Sequence, residues 1–422
     1  MRAVAVLSMH TSPLAQPGSA DAGGMNVYVR ELTTALARAG ARCEVYTRRE
    51  DPAQPPAVWV EPGLRLHYVT AGPPAPLAKE SLGPLVGEWT AGVGESLSAL
   101  SARDEPVDLL HANYWLSAAA GHTLKHVLSV PLATTFHTLS RVKAKNAEEE
   151  PEPGRETSEQ ESVDCSDLLV SCSPSEAEDL VQLYAAGPQR VKTVLPGVHR
   201  AFFSPGDQAQ ARRAVGLPEG APVVLFVGRI QPLKGLTLAM SAIATLAKVP
   251  AGRQGAGSRS GRATFVVVGG PSGPRGEEEL ARAKGVAEEG GLSQRIRWVP
   301  AMPHELLSSY YRAADVCVVP SWSESFGLAA LEAAACAVPV VASAVGGLTG
   351  LVDHGRTGYL VAPGDVAGLA RYLKELLDDM SLARFMGTAA LKASSSYTWS
   401  RAASQFAGLS DALAGRELVN CG

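Results

Sequence analysis

The stretch VVLFVGRIQPLKG (residues 223–235) decides the fold, because it joins a buried strand to a loop that carries charge. Its first five residues are apolar and rich in valine, which predicts a strand buried on both faces of a parallel sheet. Gly228 ends this strand, and Arg229 and Lys234 follow in the loop. Similar apolar runs alternate with amphipathic stretches along the whole chain. This alternation predicts an α/β fold built from doubly wound, Rossmann-like parallel sheets.

The strand pattern occurs twice, once in each half of the chain. Turn residues cluster without a clear period at residues 195–207, and the pattern restarts after them. We therefore predict an N-terminal domain at residues 1–200, a C-terminal domain at 208–398, and a last helix within 399–422 that packs near the domain junction. The predicted strands lie at residues 4–7, 43–46, 109–111, 132–135, 168–171, 223–227, 264–268, 296–299, 316–319 and 338–342.

Composition excludes several classes of protein. The chain has 422 residues, of which 46% are hydrophobic and 19% charged, and this suits a globular protein rather than a disordered one. Its net charge of −4 argues against a nucleic-acid partner. The uncharged residues 333–352 are interrupted by Pro339, so we predict no membrane span.

The cysteines and most histidines give no sign of a metal or disulfide site. The six cysteines form no CxxC pair, and no spacing of histidine and cysteine resembles a zinc site. We therefore predict reduced, mostly buried thiols in a cytoplasmic protein. His111 and His122 are predicted to be ordinary core or surface residues.

A second stretch, PSWSESFGLAALE (residues 320–332), combines two carboxylates with a predicted helix N-terminus. Glu332 lies in an apolar helix, where a carboxylate needs a partner such as a sugar diol or a structural Arg or Lys. Glu324 is placed at the mouth of the same helix, about 12 Å away along the helix axis. The amides of Gly327 and Leu328 suit a phosphate, and Arg229 with Lys234 could hold a diphosphate.

The third candidate is the loop HTSPLAQPGSADAGGMN (residues 10–26), which ends in a glycine pair before a predicted helix. A glycine-rich turn at a helix N-terminus can approach an anion closely, although an ordinary turn between strand and helix has the same appearance. His10 and Asn26 flank the pair. Neither half of the chain has a G-x-S-x-G or a G-x-G-x-x-G motif in the required place, which disfavours hydrolases and dehydrogenases.

Taken together, these residues resemble retaining glycosyltransferases of the GT-B fold, in the sucrose-phosphate-synthase-like group. The resemblance rests on Glu324 and Glu332 (E-x7-E), on Arg229 with Lys234, and on the Gly23–Gly24 loop. The narrower motifs HTSPLAQPG and GGMNVYV, with FHT and SESFGL, are similar to the members that glycosylate inositol 3-phosphate in the first step of mycothiol biosynthesis.

The resemblance implies roles for individual residues. Catalysis would involve Arg229, Lys234, His137 and Glu324. The donor would be bound by Gly24, Arg229, Lys234, Glu324, Gly327, Leu328 and Glu332. The acceptor would be bound by His10, Asn26, Lys79, Tyr114, Thr138 and Arg155, of which the last four would contact its phosphate.

The resemblance also implies the partners. The donor would be UDP-N-acetylglucosamine, the acceptor 1D-myo-inositol 3-phosphate, and the reaction would take place in a cleft between the two domains. No cofactor is required by this interpretation, although Mg²⁺ could bind near Tyr311, Arg312 and Ala314, and a homodimer is compatible with it. The segment GRETSEQ around Arg155 departs from the family pattern.

Three alternatives stay open at this point. The first is the same fold acting on another acceptor, such as fructose 6-phosphate. The second is a UDP-sugar 2-epimerase, and the third is a nucleotide-sugar-binding module without catalytic activity.

Overall fold

The computed structural model describes residues 1–18, 22–146, 152–247, 258–413 and 415–421. It divides into two compact units, each with its own sheet. The first unit comprises Met1–Ala15, Gly24–Gly197 and Thr398–Gly422, and the second comprises Gln16–Gly23 and Val198–Tyr397. The predicted α/β class with two doubly wound sheets is confirmed.

The sheet of the first unit has eight strands in the order β3-β4-β2-β1-β5-β6-β7-β8. All neighbouring strands are parallel except the edge pair of β3 and β4. Successive strands are added on one side of β1 and then on the other, so the carboxyl ends of β1 and β5 form a topological switch point, where such sheets bind ligands. The strands are β1 (Ala3–Leu7), β2 (Arg42–Arg48), β3 (Ala57–Glu61), β4 (Leu64–Val69), β5 (Leu109–Asn113), β6 (Leu132–Thr135), β7 (Leu168–Ser171) and β8 (Val191–Thr193).

The helices of the first unit cover this sheet. Leu7 of β1 and Leu110 of β5 share one core with Trp89 and Leu116 of the covering helices, and all four are at most 1% exposed. The helices are α1 (Gly24–Arg38), α2 (Val86–Ser101), α3 (Trp115–Leu128), α4 (Ser140–Asn146), α5 (Arg155–Cys165) and α6 (Pro174–Tyr184).

The second unit contains an all-parallel sheet of six strands in the order β11-β10-β9-β12-β13-β14. Its strands are β9 (Val223–Val227), β10 (Thr264–Val268), β11 (Ile296–Val299), β12 (Val316–Val319), β13 (Val340–Ser343) and β14 (Gly358–Val361). Its helices are α7 (Gln208–Ala214), α8 (Leu236–Ala247), α9 (Gly276–Glu289), α10 (Leu307–Ala313), α11 (Leu328–Ala335), α12 (Leu348–Leu351), α13 (Val366–Asp378) and α14 (Met380–Ser394). The switch point of this sheet lies between β9 and β12.

The last helix, α15 (Trp399–Asp411), belongs to the first unit although it follows the second in the chain. The ring of Trp399 meets that of Tyr28 on α1 edge to face, with centroids 5.9 Å apart. Among the described residues, no helix is both long and apolar enough to cross a membrane.

The prediction about cysteines is partly wrong. Cys43, Cys172, Cys317 and Cys336 are free and buried, as expected. Cys165 and Cys421, in contrast, lie side by side as a bonded pair of sulfur atoms, with their Cα atoms 5.0 Å apart. They are separated by 256 residues, and local spacing therefore gives no sign of the pair.

Two segments have the composition of exposed connections: residues 143–154 carry four glutamates and two prolines, and residues 249–262 are rich in glycine, serine and arginine. Residues 147–151 and 249–257 lie outside the described residues. In the described parts, Lys143 lies in α4, and Glu152 is mostly enclosed, with its side chain 15% exposed. Ser260 is 4% exposed, and its amide donates a hydrogen bond to Asp378 at 2.8 Å. The solvated-loop prediction is therefore wrong for these two positions.

Candidate functional site

Four residues predicted to contact the acceptor phosphate come together in the first unit. Tyr114 follows β5 and Thr138 follows β6, so both lie at the carboxyl ends of neighbouring strands. Arg155 begins α5, and Lys79 lies in a short 3-10 helix before α2. The sheet topology thus unites positions that are up to 76 residues apart in sequence.

Arg155 is the centre of this cluster and is only 1% exposed. Its guanidinium donates to the Glu159 carboxylate at 2.7 Å, to the Tyr114 hydroxyl at 3.0 Å, and to the carbonyl and hydroxyl oxygens of Thr138 at 2.9 and 3.0 Å. Glu159 is itself fully buried and also accepts from the Ser140 amide at 2.9 Å. Arg155 is therefore a structural hub as well as a potential ligand for an anion.

The carboxylate of Glu152 lies among the hydrogen-bond donors of this cluster. Glu152 accepts hydrogen bonds from Arg155 at 2.8 Å, from the Tyr114 hydroxyl at 3.3 Å and from the Trp115 indole at 3.3 Å. The ammonium group of Lys79 lies 3.5 Å from the same carboxylate. Sequence reasoning assigned no site role to Glu152, which belongs to an acidic connection, or to Trp115, which a sequence cannot distinguish from a core tryptophan.

The pKa of the Glu152 carboxyl group is set by its burial and by the two cations beside it. Burial alone would raise the pKa of the carboxyl group, but Arg155 and Lys79 lower it to about 2. Glu152 is therefore ionised throughout the physiological pH range. We interpret the Glu152 oxygens as occupying the positions that the oxygens of an anionic ligand would take, because the same hydrogen-bond donors would stabilise them.

His137 lies next to this cluster but is not a proton donor at neutral pH. Its Nε2 is 2.9 Å from the Oδ1 of Asn113, and its ring meets Tyr28 edge to face at 4.8 Å. Burial, with His111 and His10 nearby, lowers its pKa to about 3. The imidazole is neutral and can position a ligand or share a hydrogen bond.

The backbone is strained at two of these positions. Tyr114 has φ 75° and His137 has φ 62°, and such positive values are uncommon for residues with a side chain. Each strained residue costs on the order of 1–3 kcal/mol, and such strain clusters at functional sites. Both residues come just after a strand, where the turn aims their side chains.

His10 and Asn26 complete the first unit's candidate residues. The residues Lys79, Tyr114, Thr138, Glu152 and Arg155 are called the anion cluster below. The ring of His10 lies 4.4 Å from that of Tyr114, so it borders this cluster. Asn26 is 1% exposed and donates through its amide to Thr11 at 2.7 Å and to the Ser12 carbonyl at 2.6 Å. Asn26 thus fixes the loop that follows β1.

In the second unit, the loops after β9 and β12 lie together because these strands are neighbours. The Trp322 amide donates to the Leu233 carbonyl at 2.8 Å. A Cβ atom on Gly235 would approach the Pro320 carbonyl oxygen to 2.2 Å, so only glycine fits there. This close packing brings Lys234 to Glu324, with Nζ and Oε2 2.7 Å apart.

The glycine pair lies where the chain passes from the second unit to the first. Gly23 groups with the second unit, and a Cβ atom placed on it would lie 3.0 Å from the Nε of Arg229. Gly24 is the first residue of α1 in the first unit, so the predicted glycine-rich helix start is present.

The carboxylate spacing predicted from a continuous helix is wrong. The helix begins only at Leu328, and Gly327 precedes it with φ 102°, so Glu324 lies in the loop. The rise of 1.5 Å per residue therefore applies only to the part from Leu328 to Glu332. Gly327 and Leu328 do form the N-terminus of the helix, as expected.

Glu332 is 5% exposed and has two hydrogen-bond donors. His304 Nε2 lies 2.6 Å from one carboxylate oxygen, and the Tyr311 hydroxyl donates to the other at 2.8 Å. Neither of these partners is the structural Arg or Lys that the alternative interpretation required. A carboxylate has about four lone-pair positions, so two can still accept from a sugar diol.

We expect Glu332→Gln to weaken binding of the UDP-sugar donor by roughly 10–100-fold, because a hydrogen bond to a charged group contributes about 1.5–3 kcal/mol. Calorimetric titration of the donor, together with a melting curve, checks this. Glu375→Gln is the matched control, since Glu375 also accepts from a tyrosine hydroxyl, at 2.6 Å from Tyr359. A lower melting temperature with unchanged donor affinity in Glu332→Gln would assign the residue a structural role instead.

The three residues proposed for Mg²⁺ do not supply a suitable set of oxygen ligands. The Tyr311 hydroxyl donates to Glu332, and Arg312 is a cation that donates to the carbonyls of Phe202 and Ser204. The Ala314 carbonyl accepts from Gln208 at 2.9 Å. This metal site stays a prediction.

Comparisons with known proteins cover both units. Residues 23–197 match the glycosyl transferase 4-like domain, and residues 207–393 match glycosyl transferases group 1. D-inositol 3-phosphate glycosyltransferase 2 from Catenulispora acidiphila is 44% identical over 408 residues, which are 95% of this chain and 93% of that protein. D-inositol 3-phosphate glycosyltransferase from Acidothermus cellulolyticus is 44% identical over 383 residues, 89% of this chain and 83% of that protein.

A solved structure is similar over nearly the whole chain. Sucrose-phosphate synthase from Thermosynechococcus elongatus superposes with a TM-score of 0.87 at 33% sequence identity. The match covers 98% of this chain and 99% of that one.

Proposed function

Because the chain belongs to the family of D-inositol 3-phosphate glycosyltransferases, we propose that it transfers N-acetylglucosamine from UDP-N-acetylglucosamine to 1D-myo-inositol 3-phosphate. The configuration at the anomeric carbon is retained. The GT-B fold predicted from the sequence is confirmed by both family matches and by the similarity to sucrose-phosphate synthase.

The observation that supports this acceptor most strongly is the anion cluster around Glu152. Two cations, a phenol and an indole converge on one carboxylate. A phosphomonoester carries more charge than a carboxylate and offers three acceptor oxygens, so it can compete for these donors. Binding would displace the Glu152 side chain and keep Arg155, Lys79 and Tyr114 as phosphate ligands.

The residues at the switch point support binding of the polyol ring beside that phosphate. His10 borders Tyr114, and Asn26 holds the loop after β1. His137 is neutral and can accept or donate one hydrogen bond to a hydroxyl group. These groups would orient the ring so that one hydroxyl is presented for the reaction.

The donor is proposed to bind to the second unit. Arg229 and Lys234 would hold the diphosphate, together with the amides of Gly327 and Leu328 at the start of α11. Glu332 would accept hydrogen bonds from the ribose diol. Glu324, which pairs with Lys234, would contact the sugar.

In the proposed reaction, the bond between the anomeric carbon and the β-phosphate oxygen breaks. A bond forms between that carbon and the acceptor hydroxyl oxygen, and the hydroxyl proton passes to the departing phosphate. Negative charge grows on UDP as it leaves. Arg229, Lys234 and the helix amides would stabilise this charge, and such preorganised donors contribute several kcal/mol.

The test is product analysis with purified protein and UDP-N-acetylglucosamine, in the presence of 1D-myo-inositol 3-phosphate, fructose 6-phosphate or no acceptor. We expect UDP release and one glycosylated inositol phosphate. The coupling constant of its anomeric proton should show that the configuration of the donor is retained. The sucrose-phosphate synthase similarity makes fructose 6-phosphate the necessary comparison.

Each other outcome contradicts a specific part of the proposal. Transfer only to fructose 6-phosphate would keep the anion site but overturn the acceptor. Conversion of the UDP-sugar without any acceptor would indicate a 2-epimerase. Tight UDP-sugar binding with no product under any condition would indicate a binding module.

A further inference from the structure

Two histidines and two cysteines meet at the end of the first unit that is remote from the anion cluster. Potential ligand atoms of His122, His126, Cys165 and Cys421 all lie within 4.8 Å of one another. The Nε2 of His126 is 3.2 Å from the sulfur of Cys165 and 3.0 Å from that of Cys421. The Nε2 of His122 is 3.5 Å from the Cys421 sulfur.

This arrangement depends on helix geometry and on the C-terminal tail. His122 and His126 are four residues apart on α3 and therefore share one face, with their ring centroids 5.4 Å apart. Cys165 ends α5, and Cys421 comes from the tail, residues 415–421. His122, which was predicted to be an ordinary core or surface residue, thus lies beside three other potential metal ligands.

We propose that these four residues, with both cysteines reduced, bind one zinc ion in a tetrahedral Cys₂His₂ site. Zinc takes thiolate and imidazole ligands at about 2.3 and 2.0–2.1 Å, so the ligand atoms of a tetrahedral site are roughly 3.3–3.8 Å apart. The nitrogen–sulfur distances of 3.0, 3.2 and 3.5 Å are close to that range. A dithiol reductant first converts the bonded sulfur pair to two thiols and is itself oxidised to a disulfide. On zinc binding the two thiols lose their protons to solvent, and the sulfur atoms share the metal.

The imidazoles distinguish this proposal from a simple disulfide. A disulfide satisfies both sulfur atoms and requires no further group. The His126 nitrogen lies beside both sulfurs and the His122 nitrogen beside that of Cys421, and these two imidazoles on one helix complete the ligand number that zinc prefers. Nitrogen and sulfur ligands disfavour magnesium and calcium, which take oxygen.

Buried polar contacts hold the tail in place beside this cluster. The ammonium of Lys125, which is fully buried, donates to the carbonyls of Cys165 at 2.7 Å and Val419 at 2.9 Å, and to Asp167 at 3.0 Å. Asp167 in turn accepts from the Val419 amide at 2.7 Å. The tail is therefore docked two residues before Cys421, and this positions the sulfur for the metal.

The role of the metal follows from the two helices that it joins. Tyr114 caps α3 and Arg155 begins α5, so both helices start at the anion cluster and end at the four-ligand site. With four protein ligands there is no open position for a substrate, which is typical of a structural site. The zinc ion would fix the far ends of both helices and the tail. Zinc binding at this site would be independent of the proposed reaction.

The test is metal binding by the reduced, metal-stripped full-length chain. We expect titration with Co²⁺ to give about one equivalent of a tetrahedral cobalt spectrum with a thiolate charge-transfer band, and added Zn²⁺ to displace it. Zn²⁺ should also raise the melting temperature. Cys421→Ala and His126→Ala should each lose the cobalt spectrum and the zinc-dependent rise in melting temperature.

The variants are chosen so that a folding defect does not obscure the result. Cys421 lies in the tail and His126 is exposed, so both substitutions leave the core intact. Cys43→Ala is the matched control, because Cys43 is a buried free thiol far from this cluster in the sheet, and it should bind cobalt as the unaltered chain does. If the reduced unaltered chain binds neither Co²⁺ nor Zn²⁺, the proposal is wrong and the cysteines form only a disulfide. Cobalt binding that is unchanged in both variants would also overturn it.

Discussion

Arg229→Ala and Lys234→Ala are each expected to lower the turnover number by about two to three orders of magnitude. The reason is that each residue stabilises charge that develops on the leaving diphosphate, and loss of one such donor typically has this effect. Both residues lie on the loop after β9, at the switch point of the second sheet, rather than in its core. Their removal should therefore reduce kcat at saturating donor while the melting temperature changes little.

The measurement is steady-state kinetics with both substrates varied, alongside melting curves. Arg356→Ala is the matched control, because this exposed arginine of the second unit pairs with a surface carboxylate, Asp353, at 2.9 Å. It should retain full turnover. Near-normal turnover in Arg229→Ala or Lys234→Ala would remove that residue from the proposed clamp.

Arg155→Ala should have the second large effect, on stability as well as on acceptor choice. The substitution leaves the buried carboxylate of Glu159 without its charged partner, and breaking a buried pair in this way costs about 3–5 kcal/mol. It also removes the central phosphate ligand. We expect a large fall in the denaturant midpoint, and a specific loss of activity on the phosphorylated acceptor.

Two further variants separate these effects. Lys79→Ala removes a partly exposed cation of the anion cluster, so it should impair use of the phosphorylated acceptor with little loss of stability. Arg38→Ala removes an arginine that is 66% exposed and pairs with Glu61, so it should change the free energy of unfolding by about 1 kcal/mol or less. If Arg155→Ala were as stable as Arg38→Ala, the buried hub would be disproved.

The buried strands could be predicted from sequence because parallel strands covered by helices must be apolar on both faces. Four of the five strands predicted in the second half have the observed bounds, including Thr264–Val268 and Val316–Val319. The strands that were missed are mostly at sheet edges. Strand β3 (Ala57–Glu61) lies at the edge of its sheet, and none of its five residues is buried. Its sequence AVWVE stands between Pro56 and Pro62, which favour a turn or loop.

The candidate site was predictable where the residues lie in a local motif, as with Arg229, Lys234 and the segment before α11. The acceptor residues came only from the family resemblance, because Lys79, Tyr114, Thr138 and Arg155 are united by sheet topology rather than by spacing. Glu152 and the four-ligand cluster at Cys421 required the structure. The residues of these two sites are brought together by tertiary contacts, which no periodicity or short motif in the sequence predicts.

The central claim is that the first unit recognises a phosphorylated polyol. The most direct test compares kcat/KM for 1D-myo-inositol 3-phosphate with kcat/KM for myo-inositol, with UDP-N-acetylglucosamine as the donor, and takes the ratio of the two. Myo-inositol lacks the phosphate and so loses two charge-assisted contacts, each contributing about 1.5–3 kcal/mol, and this predicts that the phosphorylated acceptor is preferred by roughly two to four orders of magnitude. Lys79→Ala should reduce this ratio by at least about tenfold. A ratio near one in the unaltered enzyme would contradict the assignment of the anion cluster as the acceptor-phosphate site.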